Sequence, residues 1–201
     1  MHRSENRCPP PDGGVSLLEF PAEVNAEEVQ SHRAGQGPLF HRRYSTEIRD
    51  SRLGAQELMQ RVKADLNRPA PAVFARFEKV LGEQGGLEVG DEYVVRMPGP
   101  WDGPVRVIHV SPRAFRFATL DGHLEAGQIE FRVGDGHAGQ ISFEIESWAR
   151  SASWLTHVLY HHLRMSKEVQ AHMWISFLEG VVALSGGRMT GGVTIATERI
   201  D

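Results

Sequence analysis

Five consecutive stretches between Asp91 and Trp148, DEYVVRMPG, PVRVIHVSP, RAFRFATL, GQIEFRVGDGH and AGQISFEIESW, alternate apolar and polar residues and are joined by short breaks. Alternation with a period of two marks strands that bury one face, and connections of this length suit an antiparallel meander. A twisted sheet with one apolar face cannot leave that face in water. The element available to cover it comes next. ASWLTHVLYHHLRMSKEVQAHMWISFLEGVVALSGG repeats apolar residues at Leu155, Leu159, Leu163, Val169, Met173, Phe177, Val181 and Leu184, and closes on Gly186 and Gly187. This spacing predicts one long amphipathic helix, with Ser166 as the place for a bend.

Ahead of the meander, FHRRYSTEIR puts Phe40, Tyr44 and Ile48 on one side and His41, Arg43, Glu47 and Arg49 on the other, which predicts a half-buried first strand. RLGAQELMQRVKADL then spaces Leu53, Leu58, Val62 and Leu66 at helical intervals, and PAVFARFEKVLGEQGG gives Val73, Phe77, Val80 and Leu81 before a glycine stop. Two short helices are therefore expected after the first strand. The expected class is α+β, a curved antiparallel sheet wrapped around a long C-terminal helix, which is the element order of the helix-grip fold. Residues 39–187 would form this domain. Residues 1–14 lack periodicity and read as a disordered arm. Residues 15–38 read as an N-terminal extension lying across the domain, with Asn25 and Glu28 placed as N-cap and capping box of a brief helix. Residues 188–201 read as an edge strand at VTIAT or as a tail.

A formal charge of -4 with both signs interspersed leaves no electrostatic footprint for nucleic acid or an anionic membrane. The single Cys8 excludes a disulfide framework, and the stretch around it has no apolar core for a signal peptide. No apolar run approaches the roughly twenty residues of a membrane span. The expectation is a soluble, reduced, cytoplasmic protein without a nucleic-acid partner. GxSxG, P-loop, GxGxxG and CxxC stretches are missing, which weakens hydrolase, nucleotide and redox readings, and no cofactor is expected. His157 and His161 stand four apart, yet HVLYHH lacks the glutamate of HExxH and a third ligand. No metal is expected, and His172 reads as helix surface.

The strand pattern sorts residues onto two faces. Arg96, Arg106, Arg116, Glu130, Arg132, Glu144 and Glu146 fall on one, as cross-strand pairs on a solvated surface would. The apolar face carries a polar minority, Tyr44, Tyr93, His109, Thr119 and Ser147, with His162 facing it from the helix. A buried polar group without a partner costs roughly 1–3 kcal/mol, so each needs a protein partner, a water or a ligand. His123 and Glu125 continue the inward parity at the rim, where a histidine beside a carboxylate can act as a general acid/base. The plainer reading makes Asp121 and Gly122 the turn and Gly127 a bulge. Trp101, in MPGPWDGP, is placed either to cap a cavity mouth or to pack on a neighbour. Arg150 is placed to hold a ligand carboxylate or to tie the strand-to-helix junction.

FATLDGHLEAGQIEF, followed by ISFEIESWARSASWL and the long helix, resembles an uncharacterised family of bacterial and plant proteins. Its members show a Thr-Leu-x-Gly-His-x-x-x-Gly-Glu stretch, a strand and a Ser-Arg-Pro-like turn. That family is similar to the START-like, birch-pollen-allergen (SRPBCC) superfamily. Thr119, Leu120, Gly122, His123 and Gly127 fall on the stretch; Gln128 stands where the acidic residue is expected, with Glu130 two positions on. Ala149, Arg150 and Ser151 stand at the turn, without a proline. The resemblance covers roughly Asp91 to Leu184 and implies the helix-grip fold and a pocket, in a superfamily that ranges from lipid and hormone carriers to polyketide cyclases.

Three readings of function follow. The favoured one is a non-catalytic or weakly catalytic binding protein that takes a small, largely apolar ligand between sheet and long helix. Tyr93, Trp101, His109, Phe117, Thr119, His123, Arg150 and His162 are its candidate ligand-binding residues. The second is a cyclase- or hydrolase-type enzyme with His123 and Glu125 as its catalytic pair. The third is an interaction protein with a filled core. The oligomeric state is not legible.

Overall fold

The computed structural model describes residues 19–22, 24–25, 27–73, 75–83, 85–97, 102–152 and 165–200, with side chains of the last segment from 170 onward. Eight strands make one sheet: β1 (Gln36–Arg49), β2 (Arg76–Leu81), β3 (Glu92–Arg96), β4 (Asp102–Val110), β5 (Ala114–Thr119), β6 (Glu125–Asp135), β7 (Ile141–Ser151) and β8 (Arg188–Arg199). Their order is β2-β3-β4-β5-β6-β7-β1-β8, and the neighbours run antiparallel. The expected meander is there, and β1 returns to pair with β7. Two α-helices are described, α1 (Ala55–Ala64) and α2 (Met165–Ser185). α2 is the later part of the expected long helix and stops at Gly186 as the sequence indicates; Ser185 Oγ donates to the Val182 carbonyl at 2.7 Å.

The core lies between the inner sheet face and the helices. α1 contributes Leu58, Met59 and Val62, and α2 contributes Trp174, Phe177, Leu178 and Val181, all buried. Facing them, Phe115 and Phe131 stack at 4.6 Å between ring centroids, and Phe117 sits edge-on to Phe115, Phe131 and Tyr93. Such offset and edge-on pairs suit the ring quadrupoles and fill space densely. Phe117, expected to line a cavity, is therefore part of the packed centre.

The second expected helix is a strand. Of Val73, Phe77, Val80 and Leu81 only Phe77 is buried, facing Val95 of β3, while Val73 ahead of β2 and Val80 and Leu81 within it are exposed. Asn67 fixes the segment by pairing its side-chain amide with both main-chain groups of Phe77, at 2.7 and 2.9 Å. Pairing with β3 overrides a periodicity that rests on one residue worth burying. The end of the chain, open to two readings, is the edge strand β8 beside β1. The sheet thus runs beyond position 187 and starts before position 39.

The convex face is less solvated than expected. Arg116, Glu130 and Glu146 are buried. Across it lies part of the N-terminal extension, where Val29 packs with Ile108 and Ala118, and Phe20 and Val24 join them. Asn25 and Glu28 do interact, but among the described residues they close a turn and start no α-helix.

Candidate functional site

The hairpin between β5 and β6 begins with a turn in which the His123 N–H donates to the Leu120 carbonyl at 3.1 Å. Gly122 takes φ +91°, a conformation that side chains resist. At Gly127 a Cβ would stand 2.0 Å from the Trp148 carbonyl oxygen, so the close approach of β6 to β7 demands glycine. Between Thr119 and Gly127 the two strands part and Gln30 fills the gap. Its N–H donates to the Thr119 carbonyl at 2.7 Å, and its carbonyl accepts from the Gly127 N–H at 3.0 Å. The Thr119 hydroxyl serves the same junction, donating to the Gln30 carbonyl and accepting from the Gly127 N–H, each at 3.0 Å. Its hydrogen bonding goes to the backbone.

His123 lies on the inner side of the rim, its ring over the bare Cα of Gly103, where an added Cβ would meet Nε2 at 3.0 Å. His123 Nδ1 lies 2.9 Å from both main-chain groups of Glu125, accepting from its N–H when unprotonated and donating to its carbonyl when protonated. Burial pushes this imidazole below its usual range, against the opposing pull of the Glu125 charge and backbone. The carboxylate of Glu125 turns elsewhere. It accepts from Arg42 Nη1 of β1 at 3.3 Å and from Gln170 Nε2 of α2 at 3.0 Å, tying sheet to helix. The imidazole thus bonds the main chain of Glu125, not the carboxylate as an acid/base dyad requires.

Arg42 is the centre of the site. It is 8% exposed and sits directly opposite Ser147 on β7, two residues from Tyr44 on the same face of β1. Nη1 holds Glu125 and the guanidinium lies 5.0 Å from the Phe40 ring centroid. Its Nε and Nη2 have no hydrogen-bond partner among the described residues, and neither atom is sealed from solvent-sized space. The same holds for the Tyr44 hydroxyl and Ser147 Oγ, both on buried residues. Next in that row, Ile129 opposite Ser147 is only partly buried although it faces inward. Burial pushes the Tyr44 hydroxyl above its ordinary range, with Arg42 opposing and Glu125 adding to the shift. At this end of the sheet the aromatic packing gives way to convergent polar groups with donors to spare.

The other expected site residues distribute differently. Tyr93 faces inward, but its hydroxyl is 3.5 Å from the Gly86 carbonyl in the β2–β3 connection, and Lys79 lies 5.5 Å from its ring centroid. His109 is on the wrong face for the expected role. A bulge after Val107 sets His109 opposite Arg116, on the convex side, and returns Val110 to the inner row opposite Phe115. One extra residue inverts alternation, and Ile108 uses the inversion to bury itself against Ala118 and Val29. Arg150 is also convex, paired with Ala126 and lying against Gly35, and so does not face the inner side of the sheet. Trp101, His157, His161 and His162 lie outside the described residues. His172 is on the helix surface as expected. Arg42 and Gln170 were missed. Arg42 shares the even parity of Phe40, Tyr44 and Ile48, and Gln170 lies three residues before Met173 on the apolar stripe, so both signals were in the pattern.

An eight-stranded antiparallel sheet closed over a C-terminal helix, with polar groups gathered inside one end, defines an α+β helix-grip protein. The solved structures agree on that fold. Major latex-like protein 151 from Panax ginseng is 13% identical, with a TM-score of 0.52 over 74% of this chain and 99% of its own. Norcoclaurine synthase from Thalictrum flavum, solved with dopamine and hydroxybenzaldehyde, is 12% identical, with a TM-score of 0.51 over 84% and 96%. A conserved protein from Geobacillus kaustophilus is 12% identical, with a TM-score of 0.51 over 74% and 98%. No curated protein matches in sequence. The chain belongs to the DUF1990 family, a domain of unknown function, whose family model matches residues 23–178. No helix among the described residues is long and apolar enough to cross a membrane.

Proposed function

We propose that this protein binds a small, largely apolar molecule between the sheet and α2, at the end where Arg42, Tyr44, Glu125, Ser147 and Gln170 converge. The observation that carries this reading is the set of inward polar atoms on Arg42, Tyr44 and Ser147 with no protein partner among the described residues. These atoms sit on largely buried residues yet keep access to solvent-sized space, so a ligand or water completes their bonding. Partly apolar walls with a few converging polar groups are the usual make-up of a small-molecule site. The ligand body would lie against Ile129 and the edge of the aromatic cluster.

Filling the space tests the reading. Ser147→Leu should abolish the fluorescence rise of the neutral probe Nile red on mixing with the protein, with the unfolding midpoint unchanged or higher. Equal probe uptake by the variant overturns the site.

A further inference from the structure

We infer that the ligand carries a carboxylate, which docks on the Nε–Nη2 edge of Arg42. This rests on the proposed binding function and goes beyond it by naming the head group. A guanidinium presents two donor edges, and planar carboxylates favour binding in parallel to one of them. Glu125 occupies only Nη1, at 3.3 Å, so the side edge formed by Nε and Nη2 is unused among the described residues. Two further donors belong to the same patch. The Ser147 hydroxyl is directly across the strand pair from Arg42, and the Tyr44 hydroxyl is close enough to Arg42 for their charges to couple.

The balance of donors and acceptors selects the head group. The unused groups offer N–H from Arg42 and O–H from Ser147 and Tyr44, whereas the one carboxylate at the site among the described residues, Glu125, already accepts from Arg42 and Gln170. A hydroxyl head group would use one or two of these donors, and a carboxylate can take all of them. An ammonium head group would find Glu125 already engaged and Arg42 repelling it. Glu125 and Gln170 act as positioning residues. Glu125 holds Nη1 through Oε1, and Gln170 fixes Glu125 by donating to Oε2, which leaves Nε and Nη2 unused.

The test compares three ligands with one apolar body, decanoate, decan-1-ol and decylamine, by titration calorimetry on the full chain at neutral pH. Decanoate should bind about tenfold or more tighter than decan-1-ol, the difference expected of a charged hydrogen-bonded pair. Arg42→Met should remove that preference. Tyr44→Phe, which deletes only a hydroxyl lacking a protein partner, should reduce it several-fold and covers the case in which Arg42→Met fails to fold. Equal binding of decanoate and decan-1-ol, or a preference for decylamine, overturns the carboxylate assignment and leaves the apolar-ligand reading standing. Binding of none of the three overturns both.

Discussion

Two clusters of buried charge lie on opposite faces of the same sheet, and on β1 they are one residue apart. On the convex face His41 Nε2 meets Glu146 at 2.6 Å and stacks on Trp148, while Arg132 reaches the same carboxylate at 2.8 Å. Beside them Arg116 spends Nε and Nη2 on Glu130, at 3.2 and 3.0 Å, and Nη1 on the Glu19 carbonyl at 3.1 Å. On the concave face Arg42 makes one hydrogen bond, from Nη1, among the described residues. The two arginines are equally buried, at 8% exposure, so burial alone does not tell a structural cation from a binding one. The difference is satisfaction. A guanidinium whose donors are all engaged holds the fold together, and one on the inner face with an idle edge is available to something else.

The contrast predicts opposite responses to mutation. The largest effect should come from Arg116→Ala, which strands the Glu130 carboxylate in a buried site; removing one partner of such a pair costs about 3–5 kcal/mol, measurable by urea unfolding. A loss under about 1 kcal/mol would mean that the convex ladder is not structural. On the other face, replacing both partners by apolar residues of similar size in the double variant Arg42→Met/Glu125→Leu should leave stability unchanged or raise it by about 1–3 kcal/mol. Carboxylate preference should vanish in the same variant. A large destabilisation would make the concave cluster a structural pair like the convex one.

The smallest effect is in the pH dependence. The folded His123 has a pKa below its ordinary 6.5, so the unfolded chain takes up the proton first. Its contribution is fully present above pH 6.5 and is lost as pH falls from there toward the folded value. The urea midpoint of the wild type should therefore drop between pH 7.5 and 5.5, and His123→Asn should flatten that step. Glu146 behaves likewise at lower pH. Burial alone would raise its carboxyl, but the hydrogen bond from His41 together with Arg132 outweighs burial and holds it below the usual 4.5. Its contribution is present above pH 4.5 and is lost as pH falls further, so the acid limb below that should persist in His123→Asn. A His123→Asn profile identical to wild type would show that the imidazole is not buried in solution.

The hairpin TLDGHLEAGQIEF shows where the pattern was sufficient. Alternation put His123 and Glu125 on the inner side of the rim, and both lie there. It did not disclose their partners, because Arg42 and Gln170 come from β1 and α2, far away in sequence. His109 shows where alternation failed. A single bulge inverts every later position in a strand, and the consecutive apolar pair Val107-Ile108 was its only trace. Arg150 as a ligand-binding residue fails for a simpler reason. Even parity on β7 places it with Glu144, Glu146 and Trp148 on the convex face.

Local chemistry determined most of the architecture from the sequence alone. The period-two stretches, the Gly and Pro breaks and the apolar stripe of the long helix each state a preference that needs no distant partner, and together they specify a curled antiparallel sheet on a helix. What only the tertiary structure decided were the features that depend on pairing between distant segments. These are the strand at β2, held by β3 and Asn67; the edge strand β8 beside β1; the flip of His109; and the meeting of Arg42, Tyr44, Glu125, Ser147 and Gln170. A hydrogen bond is directional and is satisfied by whichever group folding brings within about 3 Å, so which donors remain unused is a property of the assembled chain.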